Sequence, residues 1–110
     1  MRKITVNIED KDYDLFLNRN GIKWLESNGY VYENTSNMPI TYYDLLWCVG
    51  FLVNYSTLTM EEALRLRDKY KEEGGNPSEV TQFMVEEYLA FIDALTDTKS
   101  VKKKAKITEI

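Results

Sequence analysis

The side chain most often used as a base near neutral pH is histidine, and none of these 110 residues is histidine. Its absence removes Ser-His and Cys-His nucleophile arrangements and the commonest zinc ligand. The one cysteine, Cys48, lies in an apolar stretch and makes neither a disulfide framework nor a metal site. Carboxylates are abundant, but the pairs Glu61-Glu62, Glu72-Glu73 and Glu86-Glu87 are adjacent in helical segments, where neighbours point apart. Asp10, Asp12 and Asp14 have the opening spacing of a calcium loop. Leu15 then stands where that loop needs glycine, and Gly21 where it needs glutamate. Gly74-Gly75 follows a helical pattern with no Lys-Ser/Thr behind it, so it is no phosphate loop. The expectation is a protein that works by binding, with no enzyme activity, no cofactor and no metal.

Charge narrows the partners. Residues 1–97 carry nine Lys/Arg and seventeen Asp/Glu, net −8; residues 98–110 carry five Lys and Glu109, net +4. An acidic body repels nucleic acid and membranes of like charge. The start, Met1-Arg-Lys followed by Ile4-Thr-Val-Asn-Ile8, has no apolar signal core, which points to the cytosol.

The elements that must position any binding surface are legible in outline. Lys3–Ile8 alternates apolar and polar, Tyr13–Leu17 does so more loosely, and Glu9–Asp12 separates them, the pattern of a β-hairpin. Asn20 is positioned to cap a short helix that presents Trp24 and Leu25 and stops at Gly29. Tyr30–Pro39 reads as a surface loop. From Thr41 as cap, with Asp44 completing a capping-box-like start, runs Tyr42–Tyr55, apolar almost all round when wound at about 100° per residue. Leu45, Leu46, Val49, Leu52 and Val53 form one side, and Trp47, Phe51 and Tyr55 much of the other. Its uninterrupted apolar run, Leu45–Val53, is too short for the ~20 residues that span a bilayer. Such a helix is either the wholly enclosed centre of a small core or a core helix with one face left for a partner.

Thr59-Met-Glu-Glu62 is a capping box opening an amphipathic helix, which Gly74-Gly75 ends. Asn76-Pro77 then starts the last helix, whose stripe Val80, Phe83, Met84, Tyr88, Phe91, Ile92 and Leu95 is wider than one contact requires. Lys106–Ile110 fits either a short strand beside Lys3–Val6 or a disordered end. The expected fold is mainly α with a small N-terminal β-hairpin (α+β): about four helices around a central apolar helix in a single domain, 1–97, followed by a basic tail, 98–110.

The order of these pieces carries a family resemblance. The hairpin with Lys3-Ile-Thr-Val-Asn-Ile and Tyr13-Asp-Leu-Phe, then Ile22-Lys-Trp-Leu-Glu, Tyr43-Asp-Leu-Leu-Trp-Cys-Val-Gly-Phe-Leu and Asp68-Lys-Tyr-Lys-Glu-Glu-Gly-Gly-Asn-Pro resemble the tail assembly chaperones of long-tailed bacteriophages and prophages of Gram-positive bacteria. The likeness covers about residues 3–95; the segment Tyr30–Pro39 has no place in it. It implies a cytoplasmic, oligomeric, non-catalytic protein that coats the tape measure protein, keeps it in solution, recruits tail tube subunits and is absent from the finished virion. Trp47, Phe51, Tyr55 and Tyr43 are the expected partner contacts, because aromatic side chains anchor interfaces. Two other functions fit the composition: a structural component that stays in the virion, and a small nucleic-acid regulator acting through the basic tail.

Overall fold

The computed structural model describes residues 1–96, 103 and 105–109. Strand β1 (Ile4–Ile8) pairs antiparallel with β2 (Lys11–Leu15), with Ile4 opposite Leu15 and Val6 opposite Tyr13. The register puts Val6, Ile8, Tyr13 and Leu15 on the buried face. On the outer face the Thr5 hydroxyl donates to Asp14 at 2.6 Å and the Asn7 amide to Asp12 at 2.8 Å. Asp12 and Asp14 are therefore strand residues paired across the hairpin, with the turn itself made by Glu9 and Asp10. Both have positive φ, 52° and 63°, as a two-residue turn matched to strand twist demands. Glu73 steadies that turn by accepting the Glu9 N–H at 3.1 Å.

Helix α1 (Arg19–Ser27) is capped by Asn18, whose side chain accepts from the Gly21 N–H; Asn20, the expected cap, lies inside the first turn. Gly29, with φ +85°, ends the turn that follows, and Tyr30 drops into the core. Tyr32–Asn34 forms one 3-10 turn where a plain loop was expected.

Helix α2 (Pro39–Asn54) starts two residues ahead of the expected cap. Pro39 occupies the first helical position, where its fixed φ suits the helix and its missing N–H costs nothing, and Met38 precedes it without a side-chain cap. Thr41 is an exposed residue of the first turn. Asp44 forms no capping box; it pairs with Arg67 at 2.8 Å. Residues Leu45–Phe51 are all buried, because α2 is surrounded by β2, α1, α3 and α4.

Helix α3 (Met60–Glu72) opens on the expected capping box, with Thr59 and Glu62 exchanging backbone-to-side-chain bonds at 3.2 Å. Gly74 takes φ +93°, the Asn76 side chain accepts from the Ser78 N–H, and α4 (Pro77–Thr96) departs from that corner. Val80 and Met84 are buried, Phe83, Tyr88 and Phe91 partly so, and the stripe surfaces at Ile92 and Leu95. Gly50 eases the close crossing of α2 and α4: a Cβ there would sit 2.7 Å from the mobile Met84 Cε, which would have to swing aside, and 3.3 Å from Leu15 Cβ.

Two strands and four α-helices are thus present among the described residues, an α+β domain built on a central apolar helix. Residues 105–109 are exposed and take no strand conformation; the rest of the expected strand, Ile110, lies outside the described residues, as does most of 98–104. No described helix is long and apolar enough to cross a membrane.

Candidate partner-binding site

The four aromatic residues expected to face a partner part company. Trp47 and Phe51 are fully buried. Their rings stack 4.9 Å apart, with Tyr70 of α3 6.0 Å from Trp47 and Tyr13 of β2 5.4 Å from Phe51. The indole N–H donates to the Ala63 carbonyl at 2.7 Å. Both residues are core, and the expectation that they contact a partner is corrected. The reason is tertiary: α3 and the hairpin lie over the very side of α2 that the helical pattern leaves apolar. Tyr55 is half-buried, edge-on to Tyr13 at 5.3 Å, with its phenol oxygen accepting the Asp14 N–H at 2.8 Å. It ties the hairpin to the end of α2, a structural role the helical pattern did not show.

Tyr43 alone remains on the surface, 49% exposed. Close to it in the chain are exposed apolar residues that helical periodicity did not reveal: Val31, Tyr32, Met38 and Ile40, the last 79% exposed, and Tyr32 lines one pocket with Tyr43. Val31, Tyr32 and Met38 lie within Tyr30–Pro39, the segment for which the family resemblance had no counterpart, and Ile40 follows it in the first turn of α2. The available signal was compositional: Met38, Ile40, Tyr42 and Tyr43 crowd around a proline in a stretch otherwise built of turn residues.

Beside this patch runs a cleft of two chambers. The first, about 470 Å³, is lined by Tyr32, Pro39 and Val85 together with Glu33. The second, about 260 Å³, contains Arg67 and Ser78. Tyr43, Thr81 and Gln82 border both. Thr81 is buried and satisfied, its hydroxyl donating to the Ser78 carbonyl at 3.1 Å. Arg67 is three-quarters buried and held by Asp44, so its charge is fixed at the second chamber.

The flanking aromatic cluster is rigid. Tyr30 packs 5.1 Å from Tyr42 and 5.2 Å from Tyr88, and Tyr42 donates its hydroxyl to the Gly29 carbonyl at 3.1 Å. Among the described residues the buried Tyr30 hydroxyl has no hydrogen-bond partner. Burial pushes its pKa up, only partly offset by the nearby Thr35 hydroxyl. Cys48 is buried too, and desolvation raises its thiol to about 11, so it is no nucleophile. Among the described residues no three His, Cys, Asp or Glu side chains gather to hold a metal.

A family model described as a domain of unknown function (DUF5055) matches residues 1–109. The chain belongs to the DUF5055 family. No curated protein and no solved structure matches it. This DUF5055 chain exposes aliphatic and aromatic groups near Tyr43 and carries a cleft of mixed polarity beside that residue.

Proposed function

We propose that this DUF5055 protein is a non-catalytic binding protein whose patch around Tyr43 holds an apolar seam of a helical client. The observation that carries the reading is that the exposed apolar side chains Val31, Tyr32, Met38, Ile40 and Tyr43 fall within one short stretch of chain, with Tyr32 and Tyr43 lining the same pocket. Scattered single apolar residues are ordinary, whereas a contiguous set marks an interaction site. A groove lined by aromatic and aliphatic side chains suits an amphipathic helix, which offers anchors at i, i+3 and i+4.

The resemblance of residues 3–95 to phage tail assembly chaperones supplies the client: the long helical tape measure protein. In this reading the protein acts in the cytoplasm of the bacterial host, as several copies along that chain, helps bring in tail tube subunits, and leaves before the virion is complete. Co-expression with a candidate tape measure protein tests the proposal, scored as the soluble fraction of the client. Ile40→Asp and Tyr43→Ala should each reduce that fraction, while the chaperone itself stays folded by circular dichroism. A client equally soluble with both variants would sink the reading.

A structural role inside the virion is the second reading, favoured by the further exposure of Ile92 and Leu95 at the end of α4. Mass spectrometry of purified particles separates the two, since only a structural subunit persists there.

A further inference from the structure

The two-stranded sheet leaves one of its edges open. With Ile8 opposite Lys11 across a two-residue turn, the pairs Ile8–Lys11, Val6–Tyr13 and Ile4–Leu15 exchange the backbone hydrogen bonds of the hairpin. The residues between them turn their N–H and C=O groups outward. Asp14 bears this out: its N–H leaves the sheet and is taken by the Tyr55 hydroxyl at 2.8 Å, which closes the outer edge of β2 there. On β1 the outward groups belong to Thr5 and Asn7. Both residues are exposed, and among the described residues nothing pairs with their backbone N–H or C=O. We propose that β1 of one copy pairs antiparallel with β1 of a second copy about a two-fold axis at Val6, joining two hairpins into one four-stranded sheet.

The strand itself argues for a second copy as the occupant. An axis at Val6 sets Thr5 of each copy opposite Asn7 of the other, so the outward donors and acceptors meet their complements. The same axis brings Lys3 of each copy alongside Glu9 of the other. A lysine and a glutamate bounding a short strand ordinarily keep an edge from pairing. Here each meets the opposite charge, twice over by symmetry. Glu73 already holds the Glu9 N–H at 3.1 Å, so backbone pairing ends at Asn7 and the Glu9 side chain alone takes part. That side chain forms no ion pair among the described residues. Lys3 is 61% exposed and, though 3.3 Å from Asp14, has ammonium donors to spare. The edge also lies clear of the Tyr43 cleft. Arg2, at the head of β1, meets Phe83, Glu86 and Glu87, whereas the cleft meets Thr81, Gln82 and Val85, on another side of α4. The pairing therefore stands whether or not that cleft serves a client.

Sedimentation velocity on the full chain across concentration, with amide exchange followed by NMR, provides the test. The expected result is a monomer–dimer equilibrium that closes at two, because a two-fold contact uses up both edges. The Thr5 and Asn7 amides should exchange roughly tenfold more slowly in the dimer than on dilution, while those of Val6 and Ile8, bonded within the hairpin, change little. Asn7→Pro removes an outward N–H that the single chain does not use. It should weaken dimerisation by roughly tenfold or more, with the circular dichroism spectrum unchanged. Should the proline disturb the hairpin, amide exchange of the unaltered chain still decides. Lys3→Glu and Glu9→Lys should each weaken the dimer by roughly threefold, and together restore it. A chain that stays monomeric throughout overturns the proposal. So does a dimer whose Thr5 and Asn7 amides exchange as fast as in the monomer, which would place the contact on another surface. A charge reversal that the second reversal fails to repair overturns the two-fold register, and the proposal with it.

Discussion

The Trp47 indole donates its hydrogen to the Ala63 carbonyl across 2.7 Å, in a part of the protein that water does not reach. One bond thus fixes the rotation of α2 against α3. It works because residue 63 is alanine, small and fully buried at the point of approach. Trp47→Phe should cost about 1–2 kcal/mol, the lost hydrogen bond and a partial void. Trp47→Ala should cost about 3–5 kcal/mol through the cavity it leaves. Urea unfolding followed by far-ultraviolet circular dichroism measures both. Equal, negligible losses would return Trp47 to the surface.

Tyr30 carries the opposite lesson. Its hydroxyl is buried without a partner among the described residues, so removing it relieves a desolvation cost while the ring contacts to Tyr42 and Tyr88 remain. Tyr30→Phe is expected to leave stability unchanged or raise it by about 1 kcal/mol. The pH dependence follows from the raised pKa. Stability attached to a neutral buried phenol is complete below about pH 10, the unfolded value, and is lost as pH rises through the higher folded value. Tyr30→Phe should therefore unfold less readily in alkali than the parent, as an alkaline titration of the circular dichroism signal would reveal.

Asp14 titrates at the other end of the scale. The Thr5 hydroxyl first, and Lys3 second, hold its carboxyl below the ordinary range. A depressed pKa contributes stability that is present above about pH 4 and disappears as pH falls through the folded value. The side chain is half-exposed, so solvent screens the effect and it remains small. Asp14→Asn should flatten the acid limb of the stability profile and leave neutral-pH stability nearly unchanged, in matched denaturation curves from pH 2 to pH 7.

Two threonines at helix starts should behave differently. Thr59 exchanges hydrogen bonds with Glu62 in a capping box, and its replacement by alanine should cost about 1 kcal/mol. Thr41 caps nothing and is exposed, so Thr41→Ala should stay within about 0.5 kcal/mol. Thermal melts of the pair decide whether α2 truly begins at Pro39.

Ile40→Asp separates binding from folding. The side chain is 79% exposed in the first turn of α2, where a carboxylate meets the positive end of the helix dipole. Stability should hold or rise by a few tenths of a kcal/mol while client solubilisation falls. A variant that unfolds would show that Ile40 belongs to the packing of the 3-10 segment instead.

What residue pattern alone determined was the set of elements and most of their ends: the alternating hairpin, the all-round apolar helix, the Thr59 box and the Gly74-Gly75-Asn76-Pro77 corner. Each is a local arrangement in which a few neighbouring residues satisfy backbone groups or set φ, so neighbouring letters suffice to read it. The start of α2 was missed because Pro39 can end a loop or begin a helix, and only the packing of Tyr42 chooses between them. Tertiary structure decided which side of α2 is covered. Trp47 and Phe51 look as available on a helical wheel as Tyr43 does, and nothing local distinguishes them. They are enclosed because α3 and the hairpin fold over that face, tied there by Ala63, Tyr70 and Tyr13. Tyr43 and Ile40 stay exposed while their neighbour Tyr42 packs against Tyr30, because only one side of the first turns of α2 is covered.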